Sequence, residues 1–449
     1  MAGLVLAGVL GVLLAVAAAQ PFVGVLVWSW ISFMNPHREV WGFAQTLPWA
    51  MLAFLVTIFG CVVAREPKRP AVNAVTVLLL MFAICITVTS FTALAPADAV
   101  WAKWDRTIKV LLGLLLTAAL LTSKRRIDAM IWLMVISLGF YGVKGGLFTL
   151  MTGGSFIVLG PDSTMITDRN HLAVALLVAI PLMNYLRLQT RHSVVKWVML
   201  FAMISTLFAV VGSQSRGALV ALLATALLLW FRSPGKILSG LGIAAAVAVA
   251  ILFMPHEWVE RMNSISSYEE DASAMGRINI WRAATMLALM RPLVGGGFLG
   301  FYQQAVVDTI DPSIMARAAH SIWFETLGEH GFPAFFIWAG ILLAGTIYTV
   351  RITRATRDRP ELRWAFDFAR MAQVSIVAYC SGGSFLSLSY WDLFWTLLVV
   401  IAAARSLVAK AVDDETAAVS GSVQIGWRSR DPSGVGPPKP AWATHRAIR

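Results

Sequence analysis

The chain has 449 residues, of which 58% are hydrophobic and 13% charged, and its formal net charge is +12 at pH 7. A soluble domain is about 45–50% apolar, so this composition excludes an ordinary water-soluble fold and indicates one polytopic membrane bundle. The excess of Lys and Arg does not indicate a nucleic-acid partner, because these residues set the orientation of membrane proteins. We therefore expect an all-α chain that is in contact with membrane lipids.

The first element is an apolar stretch, Met1 to Gln20, which superficially resembles a cleavable signal peptide. It lacks a basic beginning and a second apolar run starts at Phe22, so we expect it to remain in the mature protein. Apolar runs near the length of a membrane span, about 20 residues, recur up to Val408 and predict about twelve transmembrane helices. They lie at 2–34 (broken at Gln20-Pro21), 43–64, 73–94, 107–123, 127–149, 171–187, 195–212, 217–231, 237–254, 332–351, 369–387 and 391–409.

Every second connector between these runs contains several Lys or Arg residues, for example the connectors at 124–126 and 351–363. The positive-inside rule assigns these connectors, and with them both termini, to the cytoplasm. The remaining connectors, including 95–106, 150–170 and 255–319, then lie on the outer side. Whether 2–34 crosses the membrane once or twice stays open, because two short crossings would place the N-terminus outside.

Four regions follow from these spans. Transmembrane helices one to nine or ten occupy 1–254, an outer loop region with short helices occupies 255–331, and the last transmembrane helices occupy 332–409. Residues 410–449 are rich in Gly, Pro, Ser and Arg and cannot bury a core, so we expect a disordered cytoplasmic tail.

Polar residues on the outer side are few, and a charge at bilayer depth costs at least about 2.5–3.5 kcal/mol. In chain order they begin with Lys144 near the outer end of its helix and with Asp168-Arg169-Asn170-His171 at the start of the next. Arg216 follows in a Ser- and Gly-rich turn, which can present a guanidinium and backbone N–H groups to a phosphate. The alternative for Arg216 is an interfacial arginine that reaches lipid headgroups.

A helix is predicted from Gly276 to Met290, with Arg277 and Trp281 on one face. Arg277 and, more weakly, Arg282 are candidates to bind an anion there, and a surface helix anchored by its Trp is the alternative. The segment from Gly295 to Gly300 satisfies the spacing of a dinucleotide loop, but it follows a helix instead of a strand. We interpret it as a tight turn.

His320 opens a second short helix that ends at Gly331. A neutral imidazole at the water boundary can accept a proton near pH 7, although a lone His is more often structural. Glu325 and Glu329 lie on one face of this helix, where they could orient a His or be solvated. The acidic run 269–271 is interpreted as a solvated loop, and the three cysteines, Cys61, Cys85 and Cys380, as packing residues, so neither a metal nor a cofactor is predicted.

Several of these residues resemble a known family. His320-Ser321, nine residues and Gly331 match the most specific pattern of the O-antigen ligase superfamily, and Ser215-Arg216-Gly217, Gly276-Arg277 and Gly295 to Gly297 also resemble it. The resemblance covers nearly all of 1–409. A narrower similarity to the O-glycosylation ligases associated with exosortase systems appears in the segments Pro36-His37-Arg38, 141–146, Gly160-Pro161 and Asp168-Arg169-Asn170.

The resemblance implies a GT-C-like membrane ligase of the bacterial inner membrane, with its active site facing the periplasm. The donor would be a glycan on undecaprenyl diphosphate, and the acceptor a hydroxyl of a glycan, lipid A-core or protein. It implies an inverting reaction without metal or cofactor, in which His320 is the catalytic base. Diphosphate binding is expected of Arg216, Arg277, Arg282 and Lys144, and supporting roles of Asp168, Asn170, Ser321 and Glu325.

Two alternatives remain at this point. A glycan polymerase of the same superfamily would extend the lipid-linked chain instead of loading a second molecule, and sequence separates the two poorly. A secondary transporter would show inverted repeats and ionisable groups at the midplane of the membrane, whereas the polar residues here gather at one face.

Overall fold

The structure is a computed structural model that describes residues 1–68, 71–232, 235–255 and 272–428, and within these ranges its regular elements are all helices. The predicted all-α class is thereby confirmed. The acidic run 269–271 lies outside the described residues. The helices of the first half are α1 (Ala2–Ala19), α2 (Pro21–Met34), α3 (Trp49–Val63), α4 (Ala74–Phe91), α5 (Ala97–Leu120), α6 (Lys124–Met151), α7 (Arg169–Gln189) and α8 (Ser193–Gly212).

The second half contains both the longest helices and a short one. Within the described ranges of both halves, four 3-10 turns join helices, at Pro36–Arg38, Phe43–Gln45, Gly300–Tyr302 and Pro360–Leu362. The helices are α9 (Arg216–Arg232), α10 (Lys236–Phe253), α11 (Ala272–Met290), α12 (Gln304–Asp308), α13 (Ile322–Thr356), α14 (Arg363–Gly383) and α15 (Asp392–Arg428).

Local chemistry sets where several of these helices begin and end. Asn73 and Thr76 form a reciprocal capping box at the start of α4, and Asp168 caps α7 through the N–H of Asn170, which satisfies donors that have no partner inside a helix. The first apolar run breaks at Gln20, as its sequence predicted, because Pro21 lacks the N–H that would continue the helix. A new helix, α2, begins there.

Seven of the described helices are long and apolar enough to cross a membrane, namely α1, α4, α6, α7, α8, α13 and the part of α15 up to Ala417. Shorter apolar helices lie at Pro21–Met34, Trp49–Val63 and Lys236–Ala245. The chain is thus a multi-pass membrane protein. The count of about twelve spans is not confirmed.

Two of these helices form the centre of the bundle. In the most apolar stretch of α7, and in that of α15 up to Ala417, 72% of the residues are buried, against 22% in α1. Helix α1 therefore lies at the periphery. Helix α15 continues to Arg428, past Lys410, where the sequence analysis placed the start of the tail. Residues 429–449 lie outside the described residues.

Small residues let neighbouring helices approach closely. A Cβ at Gly142 would overlap Thr206, and one at Gly146 would overlap the backbone of Ser205, so the glycines of the 141–146 segment serve the packing of α6 against α8. This is a structural reason for part of the sequence pattern that suggested the narrower similarity.

Glycine residues form the turns between α11 and the second half of α13. Gly295 and Gly297 have φ of 60° and 72°, so the 295–300 segment is the tight turn predicted. Helix α13 is interrupted at Gly331, whose φ of 72° and ψ of −174° are not helical, and this residue separates Ile322 to His330 from a longer second part. The short helix that begins after His320 therefore ends at Gly331, as the sequence indicated.

Candidate functional site

Three helices pack against the glycine pair Gly382-Gly383, the last residues of α14. A Cβ at Gly382 would overlap Val174 Cγ2 of α7 and would lie 3.2 Å from Ala221 Cβ of α9. One at Gly383 would lie 2.9 Å from Ile322 Cδ1, in the first residue of α13. Ile322 is the first residue of α13, and Val174 and Ala221 are each the sixth residue of their helices, so three positive N-terminal ends, which favour an anion, lie within about two turns of the pair.

Arg216 is the first residue of α9. Ser215 before it caps the helix, since its hydroxyl accepts the N–H of Ala218 at 3.1 Å. Gly217 packs against the Phe385 side chain, to which a Cβ would come within 3.5 Å. The Phe385 ring in turn lies 6.4 Å from the ring of Trp281, centre to centre, so α9 and α11 approach the same aromatic side chain.

Trp281 joins the Arg277 helix to the segment that carries His320. Its indole N–H donates to the carbonyl of Ala319 at 2.6 Å, and its ring stacks on Phe324 with centres 5.1 Å apart. Arg277 lies one turn earlier on the same face of α11. The predicted Arg277–Trp281 face thus covers the residues around His320.

The backbone of His320 is held in an unusual conformation. Its φ is 46°, a left-handed value that costs a non-glycine residue about 1–3 kcal/mol. Contacts on both sides stabilise it, because Trp281 holds Ala319 and the His320 N–H donates to Ser387 Oγ at 3.1 Å. A strained histidine that is held on both sides and begins a helix is typical of a functional position.

The electrostatic surroundings of the His320 ring are cationic. Burial lowers its pKa to about 4, and the charges of Arg277, His171 and Arg317 act in the same direction, whereas Asp168 opposes them. The imidazole is therefore neutral at pH 7 and can accept a proton or a hydrogen bond. The same cations that lower its pKa provide a setting for an anionic ligand.

Asp168 and His171, at the start of α7, contribute polar side chains to the surroundings of His320. Asp168 Oδ1 accepts hydrogen bonds from the backbone and side-chain N–H groups of Asn170, both at 2.8 Å, and lies 3.3 Å from His171 Nδ1. The bond with His171 is the main reason why the Asp168 pKa lies well below its usual value. Asp168 and Asn170, predicted as supporting residues, thus orient His171 near His320.

Two other predicted residues lie elsewhere. Arg282 is on the exposed side of α11, where its charge acts on Asp311. Lys144 Nζ lies 3.3 Å from Glu39 Oε2, with a side chain that is 62% exposed. The structure does not bring either residue into contact with the residues around His320.

Ser321 and Glu325 occupy buried positions beside His320. The Ser321 hydroxyl is buried and has no hydrogen-bond partner among the described residues. Glu325 is not solvated: its Oε2 accepts the Ser389 hydroxyl at 2.7 Å, and its Oε1 lies 3.6 Å from Lys103 Nζ. Of the two interpretations of the Glu325/Glu329 pair, solvation is excluded.

Glu329 is the centre of a buried group that we call the Glu329 cluster, made of Lys103, Glu325, Glu329, Ser389 and Tyr390. Its Oε1 lies 2.8 Å from Lys103 Nζ, and its Oε2 accepts the Tyr390 hydroxyl at 2.7 Å. The Lys103 ammonium also faces the Tyr390 ring at 5.1 Å. Among the described residues, Lys103 is the only cation within 4.0 Å of either carboxylate.

Sequence reasoning missed Arg317 and Lys103. The Arg317 guanidinium lies directly against Gly276, in the space that a side chain there would fill, so it is next to Arg277. A signal for Arg317 was its position three residues before His320 on a predicted outer loop. Lys103 carried no such signal, since its partners lie more than 200 residues away.

Comparison with known proteins places this site in a family. Residues 1–193 match a family of unknown function (DUF5935), and residues 201–339 match the O-antigen ligase family. The second match supports membership of the O-antigen ligase superfamily. No curated protein matches it.

The candidate site is built from more than the segment that matches the O-antigen ligase family. Arg216, Arg277 and His320 lie within 201–339, whereas Asp168 comes from the other match and Ser387 from beyond both. The narrower similarity to exosortase-associated ligases is not confirmed by these matches. The O-antigen ligase match implies an enzyme that transfers glycosyl groups at a membrane, as a ligase or a polymerase.

Proposed function

We propose that this chain transfers a glycan from undecaprenyl diphosphate to an acceptor hydroxyl at the periplasmic face of the bacterial inner membrane. The acceptor hydroxyl attacks the anomeric carbon, the bond from that carbon to the diphosphate oxygen breaks, and undecaprenyl diphosphate leaves. The configuration at the anomeric carbon inverts. The termini lie in the cytoplasm, and the acceptor is a hydroxyl of a glycan, lipid A-core or protein.

The observation that carries the proposal is the meeting of cationic side chains with three helix N-termini beside a neutral imidazole. Arg216 starts one of these helices, and Arg277 acts electrostatically on His320. A guanidinium group can donate two parallel hydrogen bonds to the oxygens of one phosphate, which is a bidentate interaction. Each such charge-assisted contact is worth about 1.5–3 kcal/mol, and it gains as negative charge develops on the leaving diphosphate.

His320 is assigned the role of general base. Its neutral imidazole accepts the proton of the attacking hydroxyl, a contribution of typically about 10²–10⁴-fold. In the free protein its pKa is lowered to about 4 by burial and by Arg277, His171 and Arg317. A bound diphosphate neutralises these cations, which raises the pKa again and strengthens the base when substrate is present.

Arg216 and Arg277, with the adjacent Arg317, are assigned to the diphosphate. Asp168 and Asn170 support the site through His171, and Glu325 supports it through Ser389. The diphosphate roles of Arg282 and Lys144 and the role of Ser321 stay predictions. Single alanine variants, scored for donor affinity, decide each of them.

The test is glycan transfer by purified protein in the presence of EDTA, with a lipid-linked donor and a separate acceptor. His320→Ala is expected to abolish turnover while donor binding survives, since the base acts on the acceptor. The matched control is His192→Ala, at the exposed start of α8, which should retain wild-type turnover. Turnover by His320→Ala at the wild-type rate would exclude His320 as the base.

The runner-up is a polymerase, which the family also includes. It uses the same donor site and the same base, so the product decides between the two. Longer carrier-linked chains identify a polymerase, and glycan on the second molecule identifies a ligase. Uptake into proteoliposomes without glycosyl transfer would instead support the transporter hypothesis.

A further inference from the structure

The connector between α14 and α15, residues 384–391, holds His320 in place. Ser387 in this connector accepts the His320 N–H at 3.1 Å, and Ser384 accepts the indole N–H of Trp323 at 2.9 Å. Whatever fixes the connector therefore fixes the backbone of His320. This matters because the left-handed conformation of His320 is not its own preferred state.

Two carboxylates of the Glu329 cluster bind that connector through hydrogen bonds. Ser389 donates its hydroxyl to Glu325 Oε2 at 2.7 Å, and the neighbouring Tyr390 donates to Glu329 Oε2 at 2.7 Å. Glu325 and Glu329 both belong to the short helix that begins after His320. The connector is thus bound at two consecutive residues to the same helix whose first turn it holds.

Glu329 also binds the loop that follows α11, the helix that contains Arg277. Its Oε1 accepts the N–H of Leu299 at 3.0 Å, and Leu299 is itself left-handed, with φ 62°. One carboxylate therefore joins three parts of the chain: the α11–α12 loop, the connector and α5. Of these, α5 supplies Lys103, whose ammonium compensates two buried carboxylates at once.

We propose that Lys103 and Glu329 are positioning residues for His320, acting through Tyr390, Ser389 and the 384–391 connector. This inference rests on the proposed function only for its kinetic consequence. Removing the Lys103 charge leaves two carboxylates buried without a cation, so one of them takes up a proton or the cluster opens. Either change releases the connector, and the His320 imidazole moves away from the attacking hydroxyl.

The kinetic test compares Lys103→Met and Tyr390→Phe with the wild type. Both should lower kcat and leave KM for the donor unchanged, because the arginines that bind the diphosphate are not displaced. The loss is expected between about tenfold and about 100-fold, since a misplacement of about 1 Å costs up to about 10²-fold. Lys103→Arg, which keeps the charge, should restore most of the activity.

A matched control is available on the same helix. Lys109 pairs with Asp105 at 2.6 Å, both about half exposed, and Lys109→Met should keep the wild-type kcat. A kcat of Tyr390→Phe equal to that of the wild type would overturn the proposal. So would a rise in donor KM without a fall in kcat, because that result places the cluster at donor binding.

Hydrogen exchange tests the same claim without relying on catalysis. The amide N–H of His320 is the donor to Ser387, so exchange at 318–322 should be faster in Lys103→Met and in Tyr390→Phe, but not in Lys109→Met. Tyr390→Phe decides the matter if Lys103→Met fails to fold, because it removes a single hydroxyl. Unchanged exchange at 318–322 refutes the positioning role, whereas absence of transfer by the wild type refutes only the proposed function.

Discussion

Replacing Gly382 with alanine tests whether the three helix beginnings must meet for the site to work. The new Cβ would overlap Val174 Cγ2 and lie 3.2 Å from Ala221 Cβ, whereas carbon atoms in contact are ordinarily about 3.5–4.0 Å apart. Helix α7 therefore has to move away from α14 by about 1 Å or more, and α9 by less than about 1 Å. The movement of α7 takes His171 away from His320.

The effect on stability should be modest and the effect on activity large. Overpacking of this kind costs about 1–3 kcal/mol, and the better helix propensity of alanine offsets up to about 1 kcal/mol. The net loss of unfolding free energy is then about 0–2 kcal/mol. Transfer, in contrast, should fall by up to about 100-fold, since catalysis depends on placement within about 1 Å.

The assay pairs thermal unfolding in detergent, followed by tryptophan fluorescence, with the rate of glycan transfer to the acceptor. Gly11→Ala in α1 is the control, because a Cβ there has no neighbour within 4 Å among the described residues. It should keep both Tm and transfer, or gain slightly in Tm. If Gly382→Ala transfers glycan as fast as Gly11→Ala, the helix beginnings need not meet as argued, and the geometric basis of the site is refuted.

Three further predictions follow from the same geometry. Arg277→Lys keeps the charge but loses the bidentate guanidinium, so donor affinity measured by titration should fall about tenfold, which is about 1.4 kcal/mol. The control Arg191→Lys, at an exposed position before α8, should bind the donor as the wild type does. Equal affinities of Arg277→Lys and the wild type would exclude Arg277 from the diphosphate. The acid limb of the pH profile of kcat/KM should have its midpoint below pH 6.5, near the His320 pKa of about 4. Burial and Arg277 favour the neutral imidazole, so the base is present above that pKa and is lost as the pH falls through it. A midpoint at pH 6.5 or above would contradict this assignment. Gly331→Ala should lower the free energy of unfolding by more than about 1 kcal/mol. The φ of Gly331 is 72°, and a Cβ there would lie 2.6 Å from the Pro292 carbonyl oxygen. An unchanged Tm would show that the break in α13 is not required for stability.

The segments whose structure could be predicted are those in which neighbouring residues decide it. Pro21 ends α1 because a helix needs its missing N–H, and Gly331 ends the His320 helix because only glycine adopts its φ at little cost. The choice of His320, Arg216 and Arg277 likewise rested on local features, a short polar pattern at the edge of apolar runs. Membrane class followed from composition, because apolar residues in such excess cannot all be buried from water.

The number of spans was harder to predict, since apolar length alone does not show whether a helix crosses the membrane or lies across the bundle. In the part of the chain that the structure describes, seven helices meet the length and composition expected of a span, so the predicted count of about twelve is not confirmed. Helix α5 illustrates the difficulty: it begins with a polar first half that contains Lys103 and continues as an apolar run.

Composition, together with residues a few positions apart, was enough to predict a helical membrane protein and to single out one histidine and several arginines as candidate site residues. Which of these residues share a site depends instead on contacts between distant parts of the chain. The glycine pair at 382–383 brings three helix beginnings together, and Lys103 meets Glu329 across 226 residues of chain. No periodicity in a sequence records such pairs, since they are selected by how whole helices pack.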